Sequence, residues 1–186
     1  MRELFCALLL ALSPAMMLAG RGTLQLSHTL ISLNGDCRLQ MPSTPERKSQ
    51  IISKEDVGLQ MEYEAYLADD GDDRVYLLLI ATYASGMDPV RPETNLEGFL
   101  NGMLGYHAQN ELVEAHFEPL AGRQAMAFAV KNQSRYFQGH VLVDGQKLYL
   151  IAVEGVSGED LQVRYQTYAQ SFSLLDPQES QVAHRS

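Results

Sequence analysis

The 186-residue chain is 46% hydrophobic and 20% charged, with a formal net charge of −9. This composition supplies one core and excludes global disorder. The acidic balance rules against a broad electrostatic footprint on nucleic acid, which needs clustered Lys and Arg, and disfavours an anionic lipid surface for the same reason.

The segment MRELFCALLLALSPAMMLAG joins Arg2, an apolar run from Leu4 to Leu12, Pro14 and the small residues Ala15, Ala19 and Gly20. That order predicts a signal peptide over residues 1–20, with cleavage after Ala15 or Ala19. A short N-terminal anchor is the weaker reading, because the apolar stretch is shorter than the roughly 20 residues of a spanning helix and Pro14 interrupts it. Cys6 lies inside the leader rather than after its small residues, so it is not the lipidated first residue of a mature lipoprotein. If the leader is removed, Cys37 stands alone in an oxidising compartment, either buried or available for intermolecular pairing, and its alternating neighbours Leu39 and Met41 favour burial.

The single domain is expected over residues 24–176. It opens with a strand from Thr29 to Leu33, the turn Asn34-Gly35-Asp36 and a second strand from Cys37 to Met41, since Asn-Gly between two such runs signals a hairpin. Pro42 and Pro45 end the second strand, and the polar stretch that follows predicts a loop up to Gly58. Leu59, Met61, Tyr63, Ala65 and Leu67 then alternate with polar neighbours, the period of a strand with one buried face. After the acidic turn Asp69 to Asp73, the run from Arg74 to Ala84 is apolar at nearly every position, which predicts a central strand buried on both faces.

A loop with Pro89 and Pro92 leads to Thr94, placed to cap a helix with Glu97 at capping-box spacing. Leu96, Phe99, Leu100, Met103 and Leu104 recur at helical intervals, and Gly98 and Gly102 would let that helix lie close against a sheet. Four strands follow, Glu111 to Phe117, Arg123 to Lys131, Tyr136 to Val143 and Lys147 to Glu154, separated by Pro119 to Gly122, Asn132 to Ser134 and the tight Asp144-Gly145 turn. A final helix from Ser157 or Gly158 carries Leu161, Tyr165, Tyr168, Ala169 and Phe172 on one face and ends at Ser173-Leu174-Leu175. Residues 177–186 read as a flexible tail. Hairpins, a helix, more antiparallel strands and a closing helix make an α+β domain rather than a parallel βαβ fold.

In that order, the strand ending Leu39-Gln40-Met41-Pro42 with Thr44-Pro45 behind it, Tyr76 to Tyr83, Leu96 to Leu104, and Lys147 to Val153 before the helix ending Tyr168-Ala169-Gln170-Ser171-Phe172-Ser173-Leu174 resemble the PsbP-like superfamily, including the DcrB-type bacterial envelope proteins. The resemblance spans roughly residues 29–175 and rests on dispersed hydrophobic landmarks. It implies an antiparallel β-sheet flanked by helices, an α/β/α sandwich used mostly as a binding or assembly module, and it does not fix a function.

The residues themselves offer few centres of chemistry. The Asp69 to Asp73 cluster could chelate calcium through side-chain oxygens, but it lacks the spacing of a helix-loop-helix site, and a solvated hairpin tip explains it better. His107, Glu111, Glu114 and His116 are the best candidates for a metal or acid–base site. On a regular strand Glu114 and His116 share a face and Glu111 takes the other, which divides the set and favours a surface with incidental histidines. Ser85-Gly86 and Ser134 are loop residues, no Gly-x-Ser-x-Gly elbow exists, and no phosphate-cradling glycine loop occurs. Tyr63, Tyr66, Tyr76, Tyr83, Tyr136 and Tyr149 fall on strands, where completing a sheet face outweighs lining a groove.

No catalytic, cofactor or metal residue is therefore assigned. The expectation is an exported, non-catalytic envelope protein, periplasmic or secreted, that binds another protein or assembles with a membrane complex. The alternative is a small-ligand or lipid carrier whose pocket opens between the sheet and the Leu96 to Leu104 helix.

Overall fold

The computed structural model describes residues 24–32, 34, 36–54, 59–84, 91–156 and 159–175. The leader, the tail, Leu33 and Gly35 of the first turn, Ser85-Gly86, Pro89, and the helix start at Ser157 or Gly158 lie outside the described residues. In chain order the elements are β1 (His28–Ser32), β2 (Cys37–Met41), β3 (Glu46–Lys54), β4 (Leu59–Asp69), β5 (Val75–Tyr83), α1 (Pro92–Leu104), β6 (Asn110–Leu120), β7 (Arg123–Asn132), β8 (Arg135–Asp144), β9 (Lys147–Val156), α2 (Glu159–Gln170) and β10 (Ser173–Leu174). The class is α+β.

Seven strands form one antiparallel sheet in the order β3-β4-β5-β9-β8-β7-β6, and β1-β2-β10 form a second, smaller one. Strand alternation divides the core in two. Leu77, Leu79, Ala81 and Tyr83 of β5 join Leu96, Phe99, Leu100 and Met103 of α1 on one face. Tyr76, Leu78 and Ile80 join Leu161, Tyr165, Tyr168 and Ala169 of α2, Phe172 just beyond it, and Cys37, Leu39 and Met41 of β2, on the other. The layers are thus α1, the large sheet, and a third layer shared by α2 and the small sheet. Each large apolar side chain buried this way contributes about 1.5–3 kcal/mol, which explains why β5, apolar on both faces, sits inside the sheet with β4 and β9 at its sides.

The structure departs from the sequence expectations in several elements. The stretch after Pro45 is not a loop throughout: residues 46–54 form β3, paired with β4 from Glu46↔Leu67 to Lys54↔Leu59. As an edge strand it needs one neighbour and no fully apolar face, and Ile51 stays 64% exposed. Thr94 does not cap α1. The helix starts at Pro92 after Arg91, with no side-chain cap bond, and the Thr94 amide already donates to the Arg91 carbonyl at 3.1 Å, because proline's fixed φ suits the first helical position.

Gly98 and Gly102 are not on the buried face of α1. The turn of about 100° per residue puts them well away from the buried face marked by Leu96, Phe99, Leu100 and Met103. Finally, Ser173-Leu174 form β10 beside β2 rather than merely ending the helix. The gap between sheet and α1 is filled by the buried residues just named, with the Phe99 and Phe128 rings 6.5 Å apart.

Candidate functional site

The edge strand β6 carries the most distinctive surface. Its eleven residues are exposed along most of their length, including Leu112, Val113 and Phe117 at 46%, 54% and 40%. It runs through Pro119, past the expected end at Phe117, and turns at Ala121-Gly122 with both φ angles positive, 50° and 74°. An edge strand tolerates proline because its outer side owes no ladder hydrogen bond, and the paired positive φ values give the tight turn that joins β6 to β7.

A register shift between Leu112 and Glu114 changes which side chains share a face. Glu111 pairs with Lys131 and Glu114 with Ala129, two residues apart on β7. Opposed residues point the same way, so Glu111 lies on the same face as Glu114, His116 and Glu118, contrary to regular alternation. The extra residue of a β-bulge, here Val113, restores the parity. That face is the one covered by α2, since Glu118 pairs with Ala125 of the α2-side core.

Beside it lies a cleft of about 210 Å3, with Glu114, His116, Glu118, Gln138, Gln162 and Gln166 among its lining residues. Its floor is low because Ala127 on β7, which stands opposite His140 on this face, is small. At its inner wall His140 is 7% exposed. Its Nε2 lies 2.5 Å from Glu118 Oε1, and its Nδ1 is hydrogen-bonded to the Tyr165 hydroxyl. The imidazole and phenol rings stack at 5.5 Å with 16° between planes. His116 Nε2 stands 3.5 Å from the other oxygen of Glu118.

Burial keeps the imidazole neutral, and the contacts then set its tautomer. A carboxylate only accepts, so Nε2–H donates to Glu118 and the phenol donates to Nδ1 of a neutral imidazole. Burial holds the His140 pKa below its ordinary value despite the opposing carboxylate. The bond from His140 holds Glu118 below the usual carboxylate range, for which a neutral Nε2–H suffices. Burial, then the Glu118 charge, pushes Tyr165 well up. The chain Tyr165–His140–Glu118 has the connectivity of a proton relay, but its phenol is 3% exposed. It joins α2, β8 and β6, and what faces solvent is carboxylate, imidazole and amide.

The sequence candidates divide accordingly. Glu114 and His116 reach this cleft. Glu111 lies on the same face further along the strand, and His107 is exposed in the turn after α1, against Tyr106. His140, Glu118 and Tyr165 were missed, and no linear signal joins residues from β6, β8 and α2. Ser134 is exposed in the β7–β8 turn, while Cys37 is fully buried, its thiol pushed up to about 12 chiefly by burial.

The acidic turn is not a solvated tip. Asp70 Oδ2 accepts from Arg74 Nε at 2.9 Å, from the Tyr76 hydroxyl at 3.0 Å and from the buried Arg164 at 3.3 Å. Asp72 pairs with Arg74 and Asp73 with Arg135. Those carboxylates are committed to guanidinium groups from β8, α2 and the start of β5, which pin the β4–β5 turn. Among the described residues no group of three or more His, Cys, Asp or Glu is placed to hold a metal ion. Tyr63, Tyr66, Tyr76, Tyr83 and Tyr149 are core residues, and Tyr136 is half-buried.

A second cavity, of about 340 Å3, lies where Asp36 meets the β8–β9 turn. Its Lys147 is bound to Asp36 Oδ2 at 2.7 Å and to the Asn34 carbonyl at 2.6 Å. Among the described residues no helix is long and apolar enough to cross a membrane. No protein-family model matches the chain, and no curated protein matches it.

Proposed function

We propose that the chain is an exported envelope protein, periplasmic or secreted, that acts without catalysis as a protein-binding or assembly module with a PsbP-like, DcrB-type layered fold. The observation that carries the binding reading is β6: an eleven-residue edge strand with Leu112, Val113 and Phe117 exposed beside a polar cleft. An exposed edge with apolar side chains is a ready template for another chain unless something covers it. The leader pattern supports export, and the buried phenol of Tyr165 supports a structural role for the polar chain behind the cleft.

A photo-crosslinking residue at Val113 of the natively expressed protein tests the reading, with one at Ser134 as control. Adducts to one envelope protein from Val113, few from Ser134, and a soluble mature species by intact mass are the expected results. The absence of any adduct from Val113, under conditions that capture known envelope pairs, would refute it.

A further inference from the structure

We infer that the partner of β6 is an extended segment in which Arg or Lys alternates with apolar residues, added as a strand to the outer edge. One cationic side chain lies in the cleft between β6 and α2. The inference rests on the protein-binding reading above and names the partner's chemistry.

Four observations converge on it. First, β6 is the last strand of its sheet, and among the described residues no strand pairs with its outer side. The outward half of its amides and carbonyls can accept an added strand, whose side chains alternate between the two faces. Second, the α2-side face presents Glu111, Glu114, His116 and Glu118 in one row. Lys131 stands opposite Glu111, whereas Glu114 and Glu118 pair with alanines.

Third, among the described residues no Lys or Arg lines the cleft beside that row, and Gln138, Gln162 and Gln166 offer it amide oxygens. Carboxylates and amide oxygens around an open space suit a guanidinium or ammonium group, which only donates. Fourth, the opposite face of β6 carries the exposed Leu112 and Phe117, which suit the apolar half of an alternating partner. An acidic segment would meet like charge, and a net charge of −9 favours a cationic one.

The probe is a capped peptide of about eight residues alternating Arg and Val, followed by amide NMR and hydrogen exchange on the mature protein. Two control peptides replace Arg by Glu or Val by Pro. In the free protein the β6 amides that do not bond to β7 should exchange fast. The Arg-Val peptide should protect them and shift the side-chain amides of Gln162 and Gln166. Glu114→Lys, with an unchanged circular dichroism spectrum, should weaken binding at least about tenfold, as should either control peptide.

Equal binding of the Arg-Pro peptide would reduce the effect to charge alone and overturn strand addition. Undiminished binding by Glu114→Lys, or shifts confined to another surface, would also overturn the inference. So would outer β6 amides already protected before peptide is added, which would mean that this chain or a second copy fills the edge. Envelope adducts at Val113 with no peptide effect would sink this inference alone, whereas the absence of adducts would sink the reading beneath it.

Discussion

Gly139→Ala should destabilise the fold. Gly139 lies in β8 opposite Phe128 of β7 and Ala152 of β9. A Cβ there would sit 2.9 Å from each of three atoms: the Ala152 Cβ, the Ile151 carbonyl oxygen and the Phe128 Cζ. The Phe128 ring can tilt, but it already meets Phe137 at 5.8 Å, and the Ile151 carbonyl belongs to the backbone of the innermost strand.

Overpacking of this kind costs about 1–3 kcal/mol, and losing glycine's freedom in the unfolded chain returns about 0.5–1 kcal/mol. Because the Ile151 carbonyl cannot give way, the cost falls in the upper half of that range, and the net is a loss of about 1–2.5 kcal/mol, or a fall in Tm of about 2–10 °C for a domain of this size. Equilibrium urea unfolding, with the slope m unchanged, measures it directly. In a Phe128→Leu background the penalty should shrink without vanishing, because the carbonyl remains. A Gly139→Ala protein as stable as its parent would refute the close packing on which the number rests.

Three further outcomes follow from the polar contacts and the buried thiol. His140, held neutral by burial, and Glu118, held charged, both have folded pKa values below their ordinary 6.5 and 4.5. Their stabilisation is therefore present above those values and is lost as the pH falls, first through the histidine. His140→Gln should flatten the stability profile just below pH 6.5, and an unchanged acid limb would count against the assignment. Arg164→Met leaves Asp70 with less neutralising charge inside the protein and should cost about 3 kcal/mol by urea unfolding. A loss under about 1 kcal/mol would mean that Arg74 alone suffices. Cys37, buried with its thiol pushed up to about 12, should resist a thiol reagent in the native state and react at the rate of unfolding. Fast labelling of the folded protein would contradict its burial.

Elements with strong periodicity were legible in the sequence. β2 begins and ends where alternation and Pro42 predict, and the apolar face of α2 is buried at each expected position. β5 reads as an inner strand because a run apolar on both faces has nowhere else to go. β3 was illegible for the converse reason, since ERKSQIISK becomes a strand through its register with β4 rather than through a pattern of its own. The candidate site was half legible. Glu114 and His116 stand out as neighbours on one strand, but regular alternation puts Glu111 on the wrong face, because a bulge changes parity without altering composition. Arg164 lies on the helical face read as apolar and is buried there by Asp70. His140 and Tyr165 come together only when β8 and α2 are packed.

The pairing of β10 with β2 sets a condition on synthesis. Ser173 stands opposite Arg38, and the Ser171 hydroxyl accepts from the Gln40 amide, so the small sheet is completed by residues at nearly opposite ends of the described chain. β5 likewise gains its second neighbour only when residues 147–156 have been made, and until then an apolar strand has one open edge. Closing such long loops costs entropy before the contacts repay it, which slows folding. The topology favours a chain that stays unfolded until its last strand emerges, which is the form the proposed export requires.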